Sequence, residues 1–362
     1  IRDRVPPDSV VCADCRSDMA AGGDRRYCYP FTTCTNCGPR FSLVRSLPYD
    51  RERTSMACFP FCPDCEREYG DPTDRRFHAE PVACPACGPR LWMADAAGLD
   101  TESRDPVAAA RDELAAGRIV AIKGIGGFQL ACRADSDEAV SRLRKRKKRF
   151  GKPFAVMVRD LEAARDLVEL DPASESLMMS ARGPIVLAPR RLPSEIADEV
   201  APGLEDLGVM VPTTPLHIEL VREGRIPPLV MTSGNLSEEP LCRGNREAVD
   251  RLRGIADCFL LHDRDIVRRV DDSVVRSTGD GPVMLRRARG WVPEPLPLPE
   301  ATPEPLLAVG GHLQNTACLA EGDQAFVSQH VGDLDSEPAR LFHREVISGL
   351  EDFLQVEPVT IV

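Results

Sequence analysis

Hydrophobic and polar residues follow three different patterns along this chain of 362 residues. Between residues 8 and 90, apolar side chains are sparse and show no regular period. Between residues 104 and 290, short apolar runs alternate with stretches whose apolar residues recur every three or four positions, which predicts an α/β unit with one mixed sheet. Residues 291–305 are rich in proline and predict a semi-rigid extended linker. Residues 306–362 return to strand and helix patterns, so we expect three units.

The middle unit contains the clearest local signals. Asp105 and Pro106 have the composition of an N-cap and a first helical residue, and Gly117 ends the helix that they begin. Asp135, with Glu138 three residues later, resembles a capping box and begins the next helix. Further helices are predicted at 161–168, 215–221 and 246–253, and strands at 119–122, 154–158, 184–187, 209–211, 229–232, 259–261 and 283–285.

The last unit begins with a strand at 306–309 and a turn at Gly310-Gly311. Strands at 316–321 and 324–328 then precede a helix at 337–354. These elements are too few for a complete domain, so we expect the chain to be part of a longer protein.

Cysteines change this picture in the first unit. Two C-x2-C pairs, separated by the fifteen to twenty residues that a four-thiolate zinc site requires, occur there twice. Because such a site leaves no position open for water, we expect two structural zinc ions, whose binding replaces a hydrophobic core in residues 8–90. Disulfides or a redox pair are the alternative, and His78 is a further candidate ligand. The predicted ligands are Cys12, Cys15, Cys34, Cys37, Cys62, Cys65, Cys84 and Cys87.

Composition narrows the class of protein. A net charge of −11 argues against a protein that coats nucleic acid with its whole surface. The cysteines outside the zinc pattern are scattered, which favours a reduced, cytoplasmic chain. The first residues lack the apolar segment of a signal peptide, and no apolar run approaches the roughly 18 residues of a membrane span. We therefore expect no membrane partner.

Three short motifs have the chemistry to bind anions. Residues 142–149 are almost all Lys or Arg, which suits polyphosphate, RNA or simply a solvated helix end. A glycine-rich turn at 123–128 lets backbone amides approach a phosphate or carboxylate, although any tight turn also uses glycine. Residues 232–235 (Thr-Ser-Gly-Asn) end a strand and present hydroxyl and amide donors, or form an ordinary turn. Isolated histidines are interpreted as packing or surface residues: His217, His262 and His343.

Taken together and in this order, the motifs resemble the HypF family of hydrogenase-maturation carbamoyltransferases. The cysteine repeat, with residues 29–31, 34–40 and 76–78, is similar to the zinc-finger region of that family. The resemblance to its YrdC-like domain lies in residues 119–131, 152–157, 229–235, 261–266 and 271–276. The resemblance to the start of its TsaD-like domain, which has an actin-like ATPase fold, lies in residues 307–319 and 328–334.

The resemblance implies a function. Members of the family use ATP and carbamoyl phosphate to make carbamoyl-adenylate, and pass the carbamoyl group to the C-terminal cysteine of HypE for the cyanide ligands of NiFe-hydrogenase. An acylphosphatase-like domain that releases carbamate, and a His-x3-His metal motif, would lie outside this chain. The chain would contribute carbamate adenylation and the first part of the transfer domain, with ATP, Mg and two Zn as cofactors and no nucleic-acid partner.

Site residues follow from the same resemblance. Lys147 and Arg149 match a Lys-x-Arg motif that grips ATP phosphates, where cations would neutralise the charge that develops as carbamate attacks the α-phosphate. With Asn235, these are the expected catalytic residues. The residues expected to bind nucleotide or substrate are Lys123, Gly127, Thr232, Ser233 and Arg286 in the middle unit, and Asn315, His330 and Asp333 in the third.

Four positions depart from the family pattern. Gln129 stands where the family usually has His, and Phe150 replaces a Pro after the Lys-x-Arg motif. His312 and Gln314 replace an acidic residue and a Lys, and the second change removes an expected phosphate contact. Two other functions stay open. One is a threonylcarbamoyl-adenylate synthase of tRNA modification, which shares the YrdC-like chemistry; the other is a non-enzymatic zinc module that binds RNA through residues 142–149.

Overall fold

A computed structural model of the chain describes residues 5–222 and 226–362. Strands and helices alternate after residue 90, as the pattern predicted. The helices are α1 (Ala13–Ala20), α2 (Pro63–Gly70), α3 (Pro106–Ala115), α4 (Asp137–Lys147), α5 (Leu161–Leu167), α6 (Pro172–Met178), α7 (Pro215–Val221), α8 (Asn245–Leu252) and α9 (Glu337–Leu354). The strands are β1 (Leu91–Asp95), β2 (Val120–Lys123), β3 (Phe128–Arg133), β4 (Ala155–Met157), β5 (Ile185–Pro189), β6 (Asp206–Met210), β7 (Leu229–Ser233), β8 (Cys258–His262), β9 (Val274–Thr278), β10 (Gly281–Arg286), β11 (Leu296–Ala308), β12 (Cys318–Val327) and β13 (Thr360–Ile361). Short 3₁₀ turns lie at Arg51–Arg53 and Asp198–Val200.

Ten strands form one mixed sheet, which confirms the predicted α/β fold. Their order is β1-β8-β2-β3-β7-β4-β6-β5-β9-β10. β2 pairs in parallel with β8 and antiparallel with β3, so both kinds of ladder occur in one sheet. Ala121 belongs to one buried apolar cluster, and its neighbours Val120 and Ile122 belong to another, as expected for the two opposite faces of a strand. Because both faces are covered, the sheet is a rigid layer from which the loops of the site project.

Two helix starts test the predicted caps. Asp105 accepts hydrogen bonds from two backbone amides at 3.1 and 2.9 Å and caps α3, as predicted. The predicted cap of the next helix is wrong by one residue, because Ser136 accepts a backbone amide of α4 at 3.2 Å. Asp135 instead accepts two hydrogen bonds from Arg133, at 2.9 and 2.7 Å. The charge-assisted pair with a nearby guanidinium takes the carboxylate away from the helix end.

Four elements of the α/β unit escaped the sequence pattern: β1, β3, β9 and α6. β1 lies before the predicted start of the unit at residue 104 and extends the sheet by pairing with β8. β3 follows the glycine-rich turn directly and is held between β2 and β7. Only these long-range ladders distinguish β3 from a loop, so the local pattern could not show it.

The cysteine repeat packs around a small core of its own. α1 begins directly after Cys12 and α2 directly after Cys62, so the first pair of each repeat lies at the N-terminal turn of a helix. The expectation that metal replaces a core is wrong, because Tyr29, Phe31 and Met56 belong to a buried apolar cluster. Apolar packing therefore contributes to the stability of this region.

The predicted proline-rich linker at 291–305 is wrong, because most of it belongs to β11. This strand pairs antiparallel with β12, and its ladder is irregular between Pro297 and Thr302 and again up to Leu306. A proline has no amide hydrogen to donate, so it is tolerated where the ladder is interrupted. The two strands predicted at 316–321 and 324–328 form the single strand β12, whereas α9 has the predicted bounds.

None of the helices within residues 5–222 and 226–362 is both long enough and apolar enough to span a membrane.

Candidate functional site

Each half of the cysteine repeat brings four thiols together, as predicted. The groups are Cys12, Cys15, Cys34 and Cys37 in the first finger (residues 12–37), and Cys62, Cys65, Cys84 and Cys87 in the second finger (residues 62–87), with the sulfurs of each group within 4.8 Å of one another. In the first finger, neighbouring sulfurs lie 3.6 to 3.8 Å apart. Thiolates at the corners of a tetrahedron with Zn–S bonds of about 2.3 Å are separated by about 3.8 Å. The donors and their geometry therefore fit structural zinc, and His78 belongs to neither group.

Arginines cross between the two fingers. Nη1 of Arg25, in the first finger, lies 3.3 Å from Sγ of Cys65 in the second. Nη1 of Arg75, in the second finger, lies 3.0 Å from Sγ of Cys15 in the first. Each arginine also forms an ion pair with a carboxylate on the helix of the other finger. Because N–H donors stabilise a thiolate that ligates a metal, each finger supports the metal site of the other.

A cavity, the inter-unit cavity, lies between the central sheet and the third unit. Its larger part has a volume of about 830 Å³ and is bordered by residues of β4, β5, β6 and β7. Its smaller part, of about 130 Å³, reaches the third unit. The total volume is in the range of small-molecule sites. Both parts are lined by Arg149, Lys152, Ser233, Asp271, Arg286 and Gln314.

Lys147 is not among the residues that line this cavity. Its side chain is fully buried, and its Nζ donates to the backbone oxygens of Ser233 (2.6 Å) and Asn235 (2.7 Å) and to Oδ1 of Asn235 (2.6 Å). These acceptors use all three hydrogens of an ammonium group. Burial, followed by the charge of Arg149, lowers the pKa of Lys147 to about 7. Lys147 therefore anchors the loop that borders the cavity and does not reach into it.

Asn235 faces the smaller part of the cavity with its amide group held in place. Its Oδ1 accepts a second hydrogen bond from Oγ of Ser233, at 2.7 Å. Its Nδ2 donates to the backbone oxygen of Glu239. Thr232 lines the larger part, one residue earlier in the chain. The short motif at 232–235 thus presents fixed polar groups to both parts.

Two arginines bring positive charge to the cavity. Arg149 donates to the backbone oxygen of Pro153 at 2.9 Å, and its guanidinium stacks over the ring of Phe154. Arg286 pairs with Asp271 at 2.5 Å. Burial, followed by the charge of Arg286, lowers the pKa of Arg149 to about 10, so the Arg149 guanidinium stays charged near neutral pH. Such a pair of cations favours a polyanionic ligand.

The third unit contributes two of its three predicted residues to the cavity. His330 and Asp333 line the smaller part, and Oδ2 of Asp333 lies 3.6 Å from Nζ of Lys152 in the middle unit. Burial, followed by the charge of Arg286, lowers the pKa of His330 to about 4, so its ring is neutral. Asn315 lies behind the cavity wall, where its Nδ2 donates to two backbone oxygens beside the Gly310-Gly311 turn.

Lys123 and Gly127 lie away from the inter-unit cavity. Gly127 borders a small cavity under the glycine-rich turn, together with Gln129. Lys123 borders another, on the side of the fingers. The glycines allow close packing, since a Cβ on Gly126 would come within 2.2 Å of the backbone oxygen of Val270. The predicted site residues of the middle unit therefore do not all line one cavity, and neither Lys123 nor Gly127 lines the inter-unit cavity.

The basic run at 142–149 is largely engaged inside the fold. Arg144 is buried and donates to the backbone oxygen of Arg149 at 2.7 Å. Arg146 pairs with Asp257 at 2.7 Å. Arg142 pairs with Glu138, and Lys147 anchors the loop described above. These contacts stabilise the end of α4 and leave no continuous basic stripe among them for a nucleic acid.

The families that match this chain do so in the order of its three units. The model for the HypF finger matches residues 11–44 and 61–94, the Sua5, YciO and YrdC family described as telomere recombination matches 112–288, and the HypF Kae1-like domain matches 301–362. Carbamoyltransferase HypF2 of Cupriavidus necator is 48% identical over 376 residues, which cover 99% of this chain and 46% of that protein. The chain belongs to the HypF family.

Other HypF proteins are equally similar. Carbamoyltransferase HypF of Synechocystis sp. is 48% identical over 359 residues, covering 99% of this chain and 47% of the relative. A crystal structure of full-length HypF in the phosphate- and nucleotide-bound form has a TM-score of 0.94 and 48% identity, and covers 99% of this chain and 47% of its own. The chain spans about half the length of the HypF relatives it matches. The predicted family and fold class are confirmed.

One polar network of this HypF segment was not visible in the sequence. Nε2 of Gln129 donates to Asp272 at 2.8 Å, and Oε1 of Gln129 lies 2.9 Å from Nε2 of His217. Arg289 donates to the other oxygen of Asp272, also at 2.8 Å. Burial lowers the pKa of His217 to about 4, so the ring is neutral and its Nε2–H donates to Gln129. His217 is buried, so of the two predicted alternatives, packing or surface, it is a packing residue, and it also orients the side chain that departs from the family pattern.

Proposed function

We propose that this segment of a HypF-type protein activates carbamate with ATP and begins the transfer of the carbamoyl group to the C-terminal cysteine of HypE. In the first step a carbamate oxygen attacks the α-phosphorus of ATP, carbamoyl-adenylate forms and pyrophosphate leaves. The inter-unit cavity is the observation that carries the proposal. Its two parts share six lining residues, and its smaller part is lined by residues of both the YrdC-like part and the Kae1-like part.

The proposed phosphate-binding residues are Arg149 and Arg286. Both residues line both parts of the cavity, so they are placed to hold the triphosphate where it crosses from one part to the other. Negative charge increases on the departing pyrophosphate as the P–O bond breaks, and fixed cations stabilise that transition state more than the ground state. Magnesium, when bound with ATP, would supply further charge neutralisation.

The proposed carbamate-side groups belong to the loop at 232–235. Thr232 and Ser233 offer hydroxyl groups, and Asn235 has one amide hydrogen beyond the one donated to Glu239. Lys147 acts as a positioning residue, because its contacts hold this loop without reaching the cavity. His330 and Asp333 would contact the nucleotide from the Kae1-like side.

Two structural zinc ions are part of the proposal. The four-thiolate groups leave no open coordination position, so the metal would hold the fingers together and take no part in the reaction. Carbamoyl phosphate and HypE are proposed as substrate and partner of the whole protein.

The two rival functions receive less support. A threonylcarbamoyl-adenylate synthase would share the middle unit, but the flanking units match the HypF finger and the HypF Kae1-like domain. An RNA-binding zinc module would need free cations at 142–149, whereas Arg144 and Arg146 are bound within the fold.

Pyrophosphate release from ATP tests the proposal. The zinc-loaded chain is given ATP, Mg and carbamate from freshly dissolved ammonium carbamate, and pyrophosphate is measured by a coupled assay. We expect carbamate-dependent release, and no stimulation by threonine with bicarbonate. Silence from a folded, zinc-loaded sample would count against the proposal, and threonine dependence would establish the first rival.

A pair of variants locates the activity. Arg149→Gln removes a cation that lines both parts of the cavity and should lower the rate by about 100-fold, as the loss of one transition-state donor does. Lys145→Gln removes the same charge from an exposed position on α4, the helix that precedes Arg149, and should leave the rate within twofold. Equal losses in the two variants would show that net charge, and not the geometry of the cavity, controls turnover.

A further inference from the structure

Two buried cations border a cavity that lies outside the proposed active site. The cavity is small, with a volume of about 20 Å³, and lies where the first finger meets the central sheet. One wall is formed by residues 30–32 of the first finger and residue 39 just after it. The other wall is formed by residues 123–125, 214–216, 262 and 264. The cations are Lys123 and Arg264, which are 2% and 5% exposed. No carboxylate is among the lining residues that the structure describes.

Lys123 has fewer acceptors than its charge requires. Its Nζ donates to the backbone oxygen of His262 at 3.0 Å, and the described residues offer no second acceptor. An ammonium group carries three N–H donors, so two of them have no acceptor among the described residues. Burial, together with the charge of Arg264 and against the opposing charges of two aspartates, lowers the pKa of Lys123 to about 8. Near neutral pH the group is therefore still mostly charged.

Arg264 is still less well satisfied. Its guanidinium lies over the ring of Phe31, 5.0 Å from the centroid, and among residues 5–222 and 226–362 no hydrogen-bond acceptor or carboxylate pairs with its side chain. Arg40, which is equally buried, shows the contrast. It donates to three backbone oxygens at 2.8, 2.6 and 3.1 Å. The fold therefore satisfies a buried guanidinium elsewhere but leaves Arg264 open to the cavity.

Thr214 adds a neutral donor to the same wall. Its Oγ1 accepts the backbone amide of His217 at 3.0 Å and caps α7, and no described acceptor takes its hydroxyl hydrogen. His262 also lines the cavity, and burial keeps its pKa well below the usual value, so its ring is neutral. The described lining thus has two cations, one hydroxyl donor and no carboxylate, and the aspartates that act on the cations, Asp8, Asp263 and Asp265, lie outside it.

Uncompensated charges inside a protein are costly, and a bound anion removes that cost. We propose that Lys123, Arg264 and Thr214 form a binding site for a small planar oxyanion with a carboxylate group, of the size of formate, bicarbonate or carbamate. Arg264 has the two parallel N–H donors that match a carboxylate, and the small volume disfavours a tetrahedral phosphate. The site is separate from the inter-unit cavity, whose lining includes none of these three residues.

Binding of ¹³C-formate tests this site without reference to turnover. Line broadening of the formate resonance is measured on the zinc-loaded chain against formate concentration, and thermal unfolding is followed in parallel in formate, bicarbonate or phosphate. We expect saturable binding that formate and bicarbonate share and phosphate does not. Arg264→Met and Lys123→Met should each raise the dissociation constant at least tenfold, and Arg264→Lys should restore part of it. Arg90→Gln, which removes an exposed arginine, should bind formate like the wild type.

Three results would overturn the proposal. Equal stabilisation by phosphate would remove the argument from size. Loss of formate binding in Arg286→Gln, with Arg264→Met unaffected, would place the anion in the inter-unit cavity. Unchanged binding in a folded Lys123→Met variant would show that the two buried cations have another purpose.

Discussion

The ion pairs that cross between the fingers make a quantitative prediction for Glu68. This carboxylate lies on α2 of the second finger and accepts hydrogen bonds from Arg25 and Arg26 of the first, the latter at 3.1 and 2.5 Å. The side chain of Glu68 is 15% exposed and that of Arg26 is 1% exposed. Burial alone would raise the pKa of Glu68, but the hydrogen bonds from the two arginines lower it to about 2. The pair is therefore charged and largely buried at neutral pH.

Glu68→Gln keeps the shape of the side chain and removes its charge. Breaking a buried pair by removing one partner costs about 3–5 kcal/mol. Arg26 retains a hydrogen bond to the backbone oxygen of Ala83 at 2.8 Å and Glu68 is partly exposed, so we expect a loss below that range, of about 2–3 kcal/mol. The loss also frees Arg25 and Arg26 from their positions beside Cys65. If opening of the fingers limits zinc loss, this energy corresponds to release that is about 30- to 150-fold faster.

Zinc release to a chromogenic chelator is the assay. Both ions should leave faster in Glu68→Gln, because Arg76 of the second finger lies near Glu68 and also pairs with Asp18 of the first. Glu66→Gln changes an exposed carboxylate on the same helix and serves as the matched control. Release within twofold of that control, or acceleration of one ion only, would refute the reciprocal support inferred here. The contribution of Glu68 should disappear as pH falls from about 4.5 towards 2, since its folded-state pKa is the lower one.

Other changes probe a helix cap, the buried lysine and the metal ligands. Ser136→Ala should destabilise the start of α4 by about 1 kcal/mol in hydrogen exchange of its amides, and a larger effect of Asp135→Ala would contradict the observed cap. Between about pH 7 and 10.5, Lys147 binds fewer protons in the folded than in the unfolded state. The free energy of unfolding of the wild type, relative to that of Lys147→Met, should therefore rise with pH in this range, by up to about 1.4 kcal/mol per pH unit. If denaturant titrations give the same difference in free energy of unfolding between wild type and Lys147→Met at every pH, the lowered pKa of Lys147 is disproved. Cys62→Ser should lower the zinc content of the chain measured by mass spectrometry, whereas Cys58→Ser, outside both clusters, should not.

The spacing of residues along the chain was enough to predict local structure wherever the interacting residues are close in sequence. The C-x2-C pairs present two thiols from a single turn, so the two groups of four cysteines could be predicted directly, and the structure brings the sulfurs of each group together. The Asp105 cap and α9 were predicted for the same reason, because a helix is defined by contacts three and four residues apart. The Asp135 cap failed because a competing partner, Arg133, was also local and carried a charge.

The order of motifs along the chain also allowed the family to be recognised. That order does not depend on where each side chain points. It therefore survived errors at individual positions, such as the linker at 291–305 that proved to be strand β11.

The arrangement of the site was decided by the tertiary structure alone. Lys147 reaches Ser233 and Asn235, which are 86 and 88 residues away, and so became an anchor of the loop where the motif suggested a ligand of phosphate. His217 meets Gln129 across a separation of 88 residues. β3 exists only because β2 and β7 flank it. The sequence determined which groups are present and which local turns they form, whereas burial and long-range pairing determined which of them share a cavity, because those depend on how the sheet is assembled.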